Sequence, residues 1–304
     1  MPSVICIELT VIYAKNSVNF LSLVFNGSII KKALIPMAKI IPTSLHDPKQ
    51  NDILAGLSDE DYARILPELE LIPMPLGWAL HEASEKLSHA YFPTDSIVSL
   101  LNVMENGATA EIAVTGFDGV VGIALFMGGD ATPSRAVVQS SGFAYRISSS
   151  ALKREFRMGG KMQQLTLRYT QTLITQMSQT AVCNRHHSVV QQLCRWLLLS
   201  HDFLPSDDLY MTQELIANML GVRREGVTEA AGKLQAEGLI SYSRGHIKIL
   251  DRSGLENRVC ECYRVVKDET DRIMPSRPHR HPLQKESSML TALQHAKLSA
   301  TRSL

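Results

Sequence analysis

Cysteine is scarce in this sequence and spaced without a disulfide pattern. Five cysteines, at positions 6, 183, 194, 260 and 262 of 304 residues, cannot form the framework that staples a small secreted domain, and they fit a reducing cytoplasm. A charge excess is missing as well: 31 Lys and Arg against 30 Asp and Glu leave a formal net charge of +1. That excludes a polyanion-attracting field over the whole molecule, so affinity for nucleic acid must come from local placement of Arg and Lys. Long apolar runs are also lacking. The uncharged stretch from Asn16 to Ile30 falls short of the ~20 residues a membrane-spanning helix needs, and Glu8 and Lys15 interrupt the apolar leader before it. The basic start, apolar middle and small-residue cleavage site of a signal peptide do not occur in that order. The leader, residues 1–46, is therefore expected to be a loosely held segment or an extension upstream of a start near Met37, and no membrane partner is expected.

What is present is ordinary globular composition, 45% hydrophobic and 20% charged, enough for two modest cores. The chain is organised around Met211 to Ile240. Thr212 suits an N-cap, Gln213 and Glu214 occupy the first turn of a helix, and Ile216 and Leu220 face inward. Gly221 supplies the turn. A second helix from about Arg223 keeps Val227, Ala230, Ala231 and Leu234 on one face and leaves Arg223, Arg224, Glu225, Thr228 and Glu229 outside. A helix placed this way enters the major groove, where Arg bridges guanine O6 and N7 and Glu accepts from cytosine N4. Arg224, Glu225, Thr228 and Glu229 are the candidate base readers, and Thr212, Gln213, Arg223, Lys233, Arg244 and Lys248 the candidate backbone contacts. Residues 239–250 alternate into two strands about Arg244-Gly245, the wing of a winged helix-turn-helix. An ordinary helical hairpin is the plain alternative.

Residues 47–158 read as a sensor. Ser58 and Asp61, in capping-box spacing, open a short helix. Short apolar stretches then recur between turn signals: LELIPM, HAYFP, SIVSLLNVM, ATAEIAV, GVVGIALFM, SRAVVQ and GFAYRI. Strands at this spacing without intervening helices form an antiparallel roll, with a tight hairpin at Asn106-Gly107. Residues 159–184 form a long helix with two stripes. Leu167, Thr170, Ile174, Met177 and Ala181 make a seam for the same helix of a second subunit, and Met162, Tyr169 and Leu173 face the roll. Asn184 to His187 break the pattern as a hinge before the reader, residues 185–255, in which Trp196 and Leu197 anchor the core.

Helix, β-roll, long helix and winged helix-turn-helix, together with LGVRREGVTEAAGKLQAEGLI, make residues 51–255 resemble the cyclic-AMP receptor and Fnr (Crp/Fnr) superfamily of bacterial transcription regulators. The resemblance implies an α+β chain: an N-terminal antiparallel jelly roll like those that bind cyclic nucleotides, a dimerisation helix and a C-terminal winged helix-turn-helix. It implies a homodimer on double-stranded DNA, RNA polymerase as a partner if it activates, and no reaction. Family members read bases with the Arg and Glu at the places of Arg224 and Glu225; where many carry a further Arg, this chain has Glu229. Cyclic-nucleotide binders carry a Gly-Glu pair for the ribose and an Arg followed by a small hydroxyl residue for the phosphate. Here Gly122 is followed by Ile123, which cannot accept hydroxyl hydrogen bonds, and Ser134-Arg135 reverses the pair. Gly122, Ser134 and Arg135 stay as effector-site candidates, with Arg135 able to meet an anion, but the effector is expected to be something other than cyclic AMP.

Iron–sulfur members need several cysteines near the N-terminus, where only Cys6 lies. Cys183 and Cys194 read as small packed hydrophobes. Cys260-x-Cys262 alone offers too few ligands for closed zinc, and the neighbours His186 and His187 point apart on a helix. No metal or cofactor is therefore expected. A cupin-like metalloenzyme, the alternative from another class beside a non-DNA sensor or adaptor, needs clustered ligands, yet His89 stands nearly alone in the roll. Residues 256–304 read as one last helix over 256–273 and a disordered tail carrying His279 and His281.

Overall fold

The computed structural model describes residues 9–12, 20–25, 28–33, 46–204 and 206–274. Met37 and the tail from Pro275, with its histidines, lie outside them. Part of the leader forms a sheet: β1 (Leu9–Ile12), β2 (Phe20–Phe25) and β3 (Ser28–Ala33) pair antiparallel in that order, with a bulge between Leu23 and Val24.

From Pro48 the described residues form a second, separate unit. Asn51 opens it. Its Oδ1 accepts from the Ile53 and Leu54 amides to cap α1 (Asp52–Ala55), and its Nδ2 donates to the carbonyls of Pro93 (3.0 Å) and Gly119 (2.8 Å). One buried amide thus satisfies four backbone groups and ties the first helix to the roll. Ser58 caps α2 (Asp59–Ile65) through the Asp61 amide, as its spacing predicts.

The roll consists of β4 (Glu70–Met74), β5 (Ala79–His81), β6 (His89–Pro93), β7 (Ile97–Val103), β8 (Thr109–Thr115), β9 (Ser134–Ser140) and β10 (Gly142–Ser148). They make two antiparallel sheets, β4-β10-β6 and β5-β9-β7-β8. The roll's core holds Met74, Phe92, Leu125, Ile147 and Leu152 fully buried, each worth roughly 1.5–3 kcal/mol of transfer free energy. Three expectations change here. GVVGIALFM is no strand: Val121 makes one bridge to Tyr91, Gly122 turns the chain at φ 107°, and α3 (Ala124–Met127) follows. A continuous apolar run fits a buried helix as well as a strand. The three residues of β5 are too few to show a period. The β7–β8 turn is the longer form, Glu105 to Gly107, closed by Met104 N–H to Ala108 C=O (2.8 Å) and Gly107 N–H to Met104 C=O (2.9 Å), so that only Gly107 takes positive φ.

After α4 (Ser149–Arg157) comes the long helix α5 (Lys161–His186), placed by three polar ties. Asp61 accepts from the Lys161 amide at its first turn (2.8 Å). Tyr169 OH meets Thr115 Oγ1 (2.8 Å). Gln176 presents its amide to both backbone groups of Val114, an acceptor to the N–H (2.5 Å) and a donor to the C=O (3.3 Å). β8 is an edge strand, and this side chain satisfies both backbone groups of Val114 there. Met162, Tyr169 and Leu173 are buried against the roll as the second stripe predicts, and Leu165 joins them.

The reader comprises α6 (Val189–Phe203), β11 (Asp208–Tyr210), α7 (Gln213–Leu220), α8 (Arg224–Ala236), β12 (Ile240–Ser243) and β13 (His246–Ile249). Leu193, Trp196, Leu197, Ile216, Val227, Leu234 and Ile247 share its core. It docks on the roll through Gln139 Nε2 to Ser200 Oγ (2.9 Å) and an edge-on Phe117–Phe203 pair. The last expected helix is two: α9 (Arg252–Arg258) and α10 (Glu261–Ile273), with Val259 and Cys260 extended between them. α10 packs along α5, and Met274 beyond its end joins the roll's core.

Candidate nucleic-acid interface

Thr212 Oγ1 accepts from the Leu215 amide to start α7, and Gly221 ends it in the left-handed region at φ 66°. α8 then begins from Arg223, burying Val227, Ala230, Ala231 and Leu234. Its other side leaves Arg223, Arg224, Glu225, Thr228, Glu229 and Lys233 exposed. These six are not equivalent. Lys233 Nζ lies 2.7 Å from Glu229 Oε1, one turn apart, and holds that carboxyl below its ordinary range. Thr228 Oγ1 faces Gln213 Oε1 (2.8 Å) and the Arg224 carbonyl (3.0 Å). Two of the four candidate base readers thus have neighbours of their own, whereas Arg224 and Glu225 make no side-chain hydrogen bond or ion pair among the described residues. Arg223, Arg224 and Glu225 crowd the N-terminal end, the part of such a helix that meets base edges.

The wing turns at Arg244-Gly245, φ 50° and 81°, the paired positive values of a two-residue hairpin. β11, which short length hides from periodicity, adds a third strand. Met211 N–H donates to the Gly245 carbonyl (2.8 Å) and Tyr242 OH to the Met211 carbonyl (2.7 Å), so the wing is tied to the entrance of α7. Arg244 and Lys248 are exposed upon it.

In the roll, Ser134 and Arg135 open β9 and point to opposite faces, as successive strand residues must. Ser134 is buried with its hydroxyl 2.9 Å from that of Thr132, and Arg135 Nε lies 3.0 Å from the Glu82 carboxylate. An Arg already facing a carboxylate and a Ser turned inward do not converge on one anion. Gly122 sits against the Ala90 backbone, and Ile123 starts α3.

The first stripe of α5 is offset from its expected set. Leu167, Ile174 and Ala181 are exposed, but Thr170 is buried within the chain, its hydroxyl bonded to the Thr166 carbonyl (2.8 Å), and Met177 packs partly on the roll's core. The outward line runs through Leu167, Gln171, Ile174, Ser178 and Val182, with Leu167, Ile174 and Val182 exposed at 46%, 51% and 47%. At 3.6 residues per turn a step of three falls about 60° short of a full turn, which carries Thr170 and Met177 from the exposed line of Leu167 and Ile174 toward the roll.

Residues 191–258 match the family model of the Crp-like helix-turn-helix domain. Similar solved structures include a putative transcriptional regulator of the Crp/Fnr family from Eubacterium rectale, 18% identical, TM-score 0.53, covering 69% of this chain and 98% of that one. FixK2 from Bradyrhizobium japonicum is 14% identical with TM-score 0.53, covering 63% and 98%. The c-di-GMP responsive global regulator CLP from Xanthomonas campestris is 16% identical with TM-score 0.52, covering 63% and 99%. This chain has the Crp/Fnr fold. The sequence has no match among the curated proteins compared with it. The resemblance read from the recognition-helix stretch therefore holds.

A cluster at the end of α5 and the start of α10 carries what sequence reading missed. The matched domain ends at Arg258, and two residues later Cys260 and Cys262 meet Cys183 and His187 from the end of α5. Among the described residues, these four bring ligand atoms within 4.8 Å of one another. Cys183 and Cys260 sulfurs are 3.6 Å apart, and Cys262 Sγ is 3.5 Å from His187 Nδ1. All three thiols are buried and reduced. The Cys260 thiol is drawn down by its hydrogen bond with Cys183, whereas Cys194, alone among leucines of the reader core, is pushed up to about 12 by burial. Cys183, read as packing, and Cys260-x-Cys262, read as too few ligands, are thus one constellation, and His187 joins it without His186. The signal available in the sequence was a Cys-x3-His at a helix end, which is weak alone.

Proposed function

We propose that this protein is a cytoplasmic, homodimeric regulator of transcription that reads a pseudo-palindromic operator and catalyses no reaction. The carrying observation is the exposed Arg223-Arg224-Glu225 end of α8 on a Crp-like helix-turn-helix domain. Arg224 and Glu225 read base edges; Thr228 and Glu229 line the same face. Arg223, Arg244 and Lys248, with Thr212, Gln213 and Lys233, hold the phosphate backbone. The outward line of α5 from Leu167 to Val182 supplies the two-fold contact, which sets half-sites one DNA turn apart. The effector is other than cyclic AMP, because Arg135 already faces Glu82 and Ile123 offers no acceptor. RNA polymerase is a partner if the regulator activates. Selection of binding sites from random duplexes with the purified chain at moderate salt tests the reading: an inverted-repeat motif supports it, and enrichment of no motif overturns it.

A further inference from the structure

We propose that Cys183, His187, Cys260 and Cys262 form a structural zinc site that clamps α10 to the hinge between α5 and α6. The ligand set is one that closed tetrahedral zinc uses, three thiolates and an imidazole. Zinc bonds of about 2.3 Å to sulfur and 2.0–2.1 Å to nitrogen, opened at the tetrahedral angle, put neighbouring sulfurs about 3.8 Å apart and sulfur about 3.6 Å from nitrogen. The observed separations are 3.6 Å between the Cys183 and Cys260 sulfurs and 3.5 Å from Cys262 Sγ to His187 Nδ1. With all four atoms inside 4.8 Å there is room for one ion, and not for a cluster, whose irons hold their thiolates further apart.

The surroundings separate this group from ordinary buried cysteines. The three thiols form a cluster of their own, joined to the reader's core through the partly buried Val259. Around them are polar groups suited to a metal. His187 turns Nδ1 to the sulfurs while Nε2 lies 3.4 Å from the Glu261 carboxylate, which orients the ring and selects the tautomer with Nδ1 unprotonated. Cys260 caps α10 and Cys262 lies in its first turn, where the positive end of a thirteen-residue helix favours thiolates. Arg195, buried beside the site with Nε lacking a hydrogen-bond partner among the described residues, offsets the negative charge that three thiolates leave on a zinc centre. Glu261 is exposed and His187 half-buried, which leaves a way in from solvent.

Local geometry makes the pairs. Cys183 and His187 are four residues apart, and the His187 amide still donates to the Cys183 carbonyl (3.0 Å), so both face one side of the last turn of α5. The extended Val259-Cys260 step turns the chain so that both thiols of the second pair reach them. The ion joins the helix that leaves the roll to the helix that leaves the reader, beside the His187–Ser188 step that separates α5 from α6. This inference does not depend on DNA binding.

Elemental analysis of the full chain, purified in reductant without chelator, tests it: one zinc per chain is expected. Replacement by cobalt should give the thiolate charge-transfer band and the intense visible bands of tetrahedral cobalt. Cys183→Ser and Cys262→Ser should lose both signals, His187→Cys should keep one ion, and Cys194→Ala and Cys6→Ser should keep the wild-type spectrum. Because serine variants can fail to fold, a mercurial titration of the wild-type chain provides an independent reading, with zinc released in step with thiol modification and a lower melting temperature after release. A zinc-free chain that takes up neither zinc nor cobalt overturns the proposal. So does a Cys183–Cys260 disulfide found by mass spectrometry of the freshly purified chain, or iron with inorganic sulfide in place of zinc.

Discussion

Arg135 in the roll and Arg224 in the reader show how differently the two regions use a cation. Arg135 lies 3.0 Å from Glu82, while Arg224, at the start of α8, has no side-chain partner among the described residues. The same contrast runs through their polar groups. In the roll, Ser99 joins Glu111 (2.5 Å) to Gln139 (2.8 Å), and Gln139 reaches Ser200 of the reader. These groups are closed upon one another. In the reader, Arg223, Arg224 and Glu225 stand exposed together at the start of α8, and among the described residues Arg224 and Glu225 make no side-chain hydrogen bond or ion pair. Substitutions in the roll should therefore register as stability, and those on α8 as binding.

The largest effect expected is in the roll. Phe92→Ala, at a fully buried position, should cost ~3–5 kcal/mol in denaturant unfolding, whereas Arg224→Ala should leave stability within ~0.5 kcal/mol. A roll that tolerates Phe92→Ala would break the comparison.

Next is the pH dependence of the closed network. Burial pushes the Glu111 carboxyl up to about 7, against the opposing pull of Ser99 and Arg195. A carboxyl whose folded value lies above its unfolded one holds its proton more tightly when folded. Its stabilising effect is thus complete below about pH 4.5 and lost as pH rises to about 7, up to ~3 kcal/mol in all. Asp118, also raised to about 7 by burial and then by Asp52, acts with the same sign. Unfolding measured at pH 5 and pH 8 should show the loss, and Glu111→Gln should shrink it; an unchanged slope would remove Glu111 from the network.

On the reader, Arg224→Ala and Glu225→Ala should each relax discrimination at one or two base pairs by ~1–3 kcal/mol in competition binding. Lys248→Ala should weaken operator and random duplex alike and lower the salt slope by about one unit. Equal losses on operator and random DNA for all three would erase the division between base readers and backbone contacts. The smallest effect belongs to Arg135→Ala. Its pair with Glu82 is largely exposed, so stability should change by less than ~1 kcal/mol, and calorimetry should find no micromolar binding of cyclic AMP before or after the change. Binding that Arg135→Ala abolishes would give the roll an open cation after all.

The reader was legible because its evidence is local. Thr212, Gly221 and the apolar spacing of Val227, Ala230, Ala231 and Leu234 lie within thirty residues, and each acts through backbone geometry or one helix face. The wing's Arg244-Gly245 turn was legible for the same reason. The roll's strands were visible where they alternate or run long; GVVGIALFM was not, because a continuous apolar run carries no period and its helix depends on Gly122 lying against Ala90. The rotation that buries Thr170 and exposes Val182 needed the roll on one side of α5 before it had a meaning.

By itself, then, the sequence determined the helix-turn-helix, the long helix and the order of parts, since these follow from short-range periodicity and capping. Tertiary structure alone decided that Arg135 faces Glu82, that Gln176 meets both backbone groups of Val114 at the edge of β8, and that Cys183 and Cys260, 77 residues apart, come within 3.6 Å. The physical reason is that a ligand constellation is a property of distances. Those distances exist only once α10 has folded back along α5.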